Sequence, residues 1–158
     1  MAVVCILSVL ALGQNSTWKS EKTLWEHTLA VSPSSAKSYV NLGVYHAGKG
    51  NFEFALPLFL KGRQFNPMDD NYDYWRGYLS YQNGDPAAAL EAFKLILLRD
   101  PDSCRGNLAM GGAYEALGDF AKARESYTRV LRTGKIVAAD LARDKARYAL
   151  QRLQQAGK

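Results

Sequence analysis

This chain is poor in the residues that carry covalent chemistry. In 158 residues it has two histidines, His27 and His46, and two cysteines, Cys5 and Cys104. No His/Cys/Asp cluster has the spacing of a metal site. Serines are scattered without a nucleophile elbow. The Gly111-Gly112 pair follows no strand, so it is not a phosphate-binding fingerprint. No catalytic residue, metal or cofactor is therefore expected. The Asp69-Asp70-Asn71 run has the composition of a turn cap rather than of a cation site. His46 is expected to be packed, and both cysteines to act as small buried hydrophobes. The net charge of +5 is modest. No basic stripe is interleaved with stacking aromatics, which argues against nucleic acid. Arg143, Lys145, Arg147 and Arg152 form a mild basic excess near the C-terminus, either a solvated face or an attraction for an acidic partner. A long hydrophobic run is also missing. Ala2–Leu12 is apolar except for Ser8, but a membrane span needs about 20 such residues, and the basic start of a signal peptide is absent.

What the chain does have is a period. Gly43, Gly77 and Gly111 are 34 apart, as are Ala55, Ala89 and Ala123. Phe59, Phe93 and Tyr127 recur in the same step, as do Gly50, Gly84 and Gly118, and the prolines Pro33, Pro67 and Pro101, until Lys135 breaks the last series. Small and aromatic marks at this period indicate stacked helix–turn–helix units. The small residues let two helices cross closely, and the aromatics are expected to fill the space between a helix and the next unit. Gly50-Asn51, Gly84-Asp85 and Gly118-Asp119 each join a helix-ending glycine to an N-cap side chain. Pro86 suits a first helical position. Pro57 falls past the first turn of a helix and should kink it.

The marks resemble the tetratricopeptide repeat. The first unit reads Tyr39, Leu42, Gly43, His46, Ala55, Phe59, Gly62, Pro67. The third reads Asn107, Met110, Gly111, Tyr114, Ala123, Tyr127, Val130, Lys135. The middle unit keeps Gly77, Ala89, Phe93 and Pro101 but departs at Asp73, Arg76 and Ser80. The resemblance implies an all-α, right-handed superhelical solenoid of antiparallel helix pairs. Its repeats would be residues 36–69, 70–103 and 104–137, after a half-repeat at 15–35 marked by Trp18, Trp25, Thr28 and Pro33. An apolar helix at 1–14 would precede it, and a polar-faced capping helix at 138–158 would follow.

In this family the first helices of the units line a concave groove that holds a protein or peptide. The resemblance places Lys37, Val40, Asn41 and Val44 there from the first unit, and Arg105, Leu108 and Glu115 from the third. Tyr74, Tyr78 and Tyr81, at i, i+4 and i+7 on one helix face, would come from the middle unit. The tyrosines are a binding strip or, alternatively, pack against adjacent helices. The family's Lys/Asn clamp for a terminal carboxylate is not expected, because its slots hold Val40, Val44 and Ala109, with Arg105 the only base. An asparagine ladder of the kind found in the nucleocytoplasmic glycosyltransferase stops at Asn41, since Trp75 and Ala109 hold the next rungs.

Two readings of the N-terminus stand side by side. It is a buried repeat helix, or the end of a membrane helix whose upstream part is absent. The order of apolar run, Trp18, Leu24-Trp25, Ser32-Pro33 and Asn41-Leu42-Gly43 resembles the junction in polytopic membrane proteins that end in tetratricopeptide repeats, the protein O-mannosyltransferases among them. That resemblance implies attachment through the apolar segment, with the repeats in an extracytoplasmic or periplasmic compartment; the alternative is cytoplasmic. The expected function is a non-catalytic scaffold that binds a protein or peptide. Its rivals are a region presenting substrate to a membrane glycosyltransferase whose catalytic part is absent from this chain, and self-assembly of exposed terminal faces.

Overall fold

The computed structural model describes residues 20–132 and 140–156. Met1–Gln14, Cys5, Trp18 and Lys135 lie outside these, and with them both readings of the apolar N-terminus. The described residues are helical hairpins in two compact units, Met1–Tyr72 and Asp73–Lys158. The first unit holds α1 (Glu21–Val31), α2 (Ala36–Gly48) and α3 (Phe52–Phe65), with α1 packed on α2 and α2 on α3. Next come α4 (Asn71–Gln82), α5 (Pro86–Arg99), α6 (Cys104–Ala116), α7 (Phe120–Arg132) and α8 (Asp140–Ala156). In the second unit α5 packs on α6, α6 on α7, and α8 covers α7 and touches α6.

The turns inside the hairpins are built alike. Gly50, Gly84 and Gly118 have φ of 76°, 80° and 77°, the left-handed geometry that ends a helix. The residue after each glycine donates its backbone N–H five residues back: Asn51 to His46, Asp85 to Ser80 and Asp119 to Tyr114, at 2.9–3.0 Å. Asp85 and Asp119 then cap the next helix, accepting from the N–H of Ala88 at 2.9 Å and of Lys122 at 3.1 Å. Asn51 departs from expectation, because its side chain makes no capping bond. Between repeats, Asn66 and Asp100 end α3 and α5 in extended backbone, Ser35 caps α2 and Ser103 caps α6. Asp69 accepts from both the backbone and the side-chain N–H of Asn71, as a turn-capping acid does. Pro57 lies inside α3, past its first turn as expected.

The recurring glycines and aromatics turn out to be partners within one hairpin. A Cβ on Gly43 would lie 2.6 Å from Phe59 Cε1, and one on Gly77 would lie 2.5 Å from Phe93 Cε1. Gly111 meets the ring of Tyr127 in the same way. The rings also face the next helix, as expected: Phe93 shares a core with Met110 and Ala113 of α6, and Tyr127 shares one with Ala146 and Ala149 of α8. Each ring lies over the glycine sixteen residues before it, where a side chain is missing. Ala55, Ala89 and Ala123 are fully buried beside them. One core joins Ala89, Leu90, Phe93, Ile96, Met110 and Ala113; a second joins Ala123, Tyr127 and Val130 to Ala146, Ala149 and Leu153 of α8. Cys104, expected to be buried, is only half-buried at the first position of α6, where it flanks the second core.

Candidate functional site

The spacing of α4 puts Tyr74, Tyr78 and Tyr81 on one face, and the spacing of α6 does the same for Arg105, Leu108, Ala109 and Gly112. With Phe93 of α5 these residues line a cavity of about 200 Å³ in the second unit. Tyr74 is its pivot. Its ring stacks on Tyr78 at 6.4 Å and 16°, and tilts against Phe93 at 6.2 Å. The Arg105 guanidinium lies over the Tyr74 ring, 4.5 Å from its centroid. Trp75 meets the rings of Tyr74 and Tyr78 edge-on, each at 5.5 Å. Tyr74 and Tyr78 are half-buried and Tyr81 is exposed. Tyr74 thus packs on neighbouring helices, and all three tyrosines present surface to the cavity.

Five of the ten expected groove residues meet at this cavity: Tyr74, Tyr78, Tyr81, Arg105 and Leu108. Glu115 lies further along α6 and has other partners. Its Oε2 accepts from the Tyr127 hydroxyl at 3.0 Å, and its Oε1 is paired with Arg152 of α8. Burial, and then this bond to Glu115, raise the pKa of the Tyr127 phenol well above its ordinary value. The other four belong to the first unit. Lys37 and Val44 are exposed and Asn41 is half-buried. Val40 turns partly into its own hairpin, because its Cγ2 closes on Gly62, where a Cβ would lie 3.0 Å away.

Sequence reasoning missed one buried pair. Asp73, noted as a departure from the repeat pattern, is completely buried in the first turn of α4. Its Oδ2 accepts from Arg99 Nη2 at 2.5 Å, and Arg76 stands 3.9 Å from its Oδ1. An acid in a core slot requires a cation, and Arg99 is the basic residue in the last turn of α5. That conjunction was the available signal. His46 is packed as expected, meeting Tyr45 edge-on at 5.5 Å and Phe54 at 5.6 Å. Among the described residues no group of three or more His, Cys, Asp and Glu side chains is placed to hold a metal ion. None of the helices described is long and apolar enough to cross a membrane.

Comparison with known proteins meets this geometry at the level of the repeat. Residues 62–103 match one family model described as tetratricopeptide repeat, and residues 105–133 match a second. Both segments are similar to tetratricopeptide repeats. Tetratricopeptide repeat protein 8 of Caenorhabditis elegans is 24% identical over 131 residues, which cover 80% of this chain and 25% of the relative. The chain therefore spans about a quarter of the length of that relative. The first such domain of human RPAP3 superposes with a TM-score of 0.63 at 20% identity, covering 79% of this chain and 94% of that one. The first repeat domain of Spaghetti (RPAP3), bound to the HSP90 peptide SRMEEVD, gives 0.62 at 20% identity over 77% and 92%. A crystal structure of MamA gives 0.57 at 18% identity over 83% of each chain. At these identities the likeness carries the fold: an all-α tetratricopeptide solenoid.

Proposed function

We propose that this chain is a non-catalytic scaffold that binds a peptide or protein segment, and that the α4–α6 cavity is where the segment binds. The carrying observation is the tyrosine face itself. Three tyrosines and an arginine surround an open cavity of about 200 Å³. Tyrosine offers apolar area with a polar tip, and aromatic and arginine side chains dominate binding hot spots. Peptide binding by a protein of the same fold, the Spaghetti domain with its HSP90 peptide, supports the reading in kind. The identity of that peptide does not transfer, because the slots of a terminal-carboxylate clamp hold Val40, Val44 and Ala109 here. A display library of random peptides tests the reading on the wild-type chain and on Tyr74→Ala/Tyr78→Ala. Loss of selected binders at an unchanged melting temperature supports it. A lowered melting temperature with undiminished binding retires it and leaves the tyrosines as packing.

The reading as the aqueous tail of a membrane protein, presenting substrate to a glycosyltransferase, rests on the order of the apolar Ala2–Leu12 run, Leu24-Trp25 and Ser32-Pro33. The intact mass of the endogenous product after membrane fractionation tests it, since a much heavier membrane-embedded product is its requirement.

A further inference from the structure

We infer that the α4–α6 cavity takes one ring-sized apolar side chain of a bound peptide with a carboxylate beside it, and that Gly112 sets the size limit. This rests on the peptide-binding reading above and specifies its ligand. Volume sets the first term. A dry apolar cavity of about 150 Å³ is enough for benzene, so about 200 Å³ holds a single aromatic or branched aliphatic side chain. The walls agree, being tyrosine and phenylalanine rings with Leu108 and Ala109.

Charge sets the second term. The charged residue in the lining is Arg105. Its guanidinium, held over the Tyr74 ring at 4.5 Å, brings a positive charge to the cavity wall, and a planar guanidinium fits a carboxylate. An acidic neighbour of the inserted side chain is the complementary ligand group.

Gly112 sets the third. The adjacent Gly111 is demanded by the fold, because the Tyr127 ring occupies the space of a side chain there. A Cβ on Gly112 would meet only Tyr127 Oη, at 3.9 Å, an ordinary contact. Its backbone is not in the left-handed region, and glycine inside a helix is unfavourable relative to alanine. No packing requirement explains glycine at 112, whereas the open cavity does. The equivalent position one repeat earlier holds Tyr78, across the same cavity. One wall thus carries a large ring where the other carries no side chain.

The experiment uses an array of end-capped peptides, each with one variable residue pair between fixed Gly-Ser flanks, probed with the full chain. Wild type should prefer pairs of Phe, Tyr, Leu or Met with Asp or Glu. Gly112→Leu should weaken these by about tenfold or more, the discrimination expected of a filled apolar pocket, and Gly112→Ala by less. Arg105→Gln should lose the acidic preference and keep the apolar one. Circular dichroism confirms folding, and Gly112→Ala, adding one methyl at an open position, keeps the test decisive where Gly112→Leu is unstable. Binders without an acidic preference, or unaltered binding of ring-sized pairs by both Gly112 variants, overturn the inference and leave the peptide-binding reading standing. No pair bound above the flanks alone defeats that reading, and the inference with it.

Discussion

In the first repeat Tyr39 lies flat on Phe65, 5.8 Å away with the planes at 12°. Thirty-four residues on, the middle repeat buries Asp73 at the same position and joins it to Arg99 at 2.5 Å. The third repeat fills the slot with Asn107, whose buried amide donates to the backbone oxygens of Pro101 and Ser103, both at 3.0 Å. One position therefore carries a ring stack, an ion pair and an amide clasp in turn. The repeat specifies that this slot is closed and leaves the means open. The choice changes the failure mode. A half-buried ring can be truncated with graded loss, whereas a buried carboxylate and its guanidinium depend on each other. The ion pair also fixes the first turn of α4, which carries Tyr74, to the end of α5.

The comparison breaks most sharply at that pair. Asp73→Ala should destabilise by about 3–5 kcal/mol, because Arg99 is left without its buried partner. Urea unfolding measures the loss. Asp73→Leu combined with Arg99→Leu should recover much of it, as paired apolar replacements of buried ions often do. Tyr39→Leu, at the matching position of the first repeat, should cost about 0.5–1.5 kcal/mol, the surplus of an aromatic pair over its buried area. Equal costs at the two positions would show that burial, and not chemistry, governs the slot.

A smaller contrast sets two glycines against each other. Gly77→Ala drives a methyl into the Phe93 ring and should destabilise by about 1–3 kcal/mol, the usual cost of overpacking. Gly112→Ala enters open space and should stabilise by about 0.4–1 kcal/mol, through lost freedom of the unfolded chain. Thermal melts of the two variants should move in opposite directions. The pair also shows how far the sequence could be read. Gly77 announces itself, since steric exclusion demands the same residue at every turn of the period. So do the three left-handed glycines and the capping aspartates after two of them. The contact of each ring with its own hairpin's glycine was not foreseen, because a period of 34 says which residues are equivalent and not which ones touch. Asp73 with Arg99, and Glu115 with Tyr127 and Arg152, were not marked by the period for a related reason. Each occurs once, and periodicity carries no signal for a contact that does not repeat. The cavity itself was half visible: the tyrosine strip followed from helical spacing, whereas Phe93 read only as a core mark of the repeat and yet lines the cavity.

The last difference among the repeats is a single hydroxyl. Phe59 and Phe93 hold the slot that Tyr127 holds in the third repeat, and only Tyr127 can ionise there. Its pKa is raised by burial and by the hydrogen bond to Glu115, from an ordinary value of 10.0. A raised folded-state pKa means that the folded chain holds the proton more tightly. The associated stability is complete below about pH 10 and declines as pH rises beyond that value. Alkali should therefore strike the third repeat first, where a phenolate would face the Glu115 carboxylate. Tyr127→Phe makes this slot match the other two. It should cost about 0.5–1.5 kcal/mol at neutral pH, the worth of one hydrogen bond, and flatten the fall in melting temperature above about pH 10. Parallel pH curves for the variant and wild type would mean that other tyrosines or lysines set the alkaline limit, and that the hydroxyl serves only to hold Glu115 in place.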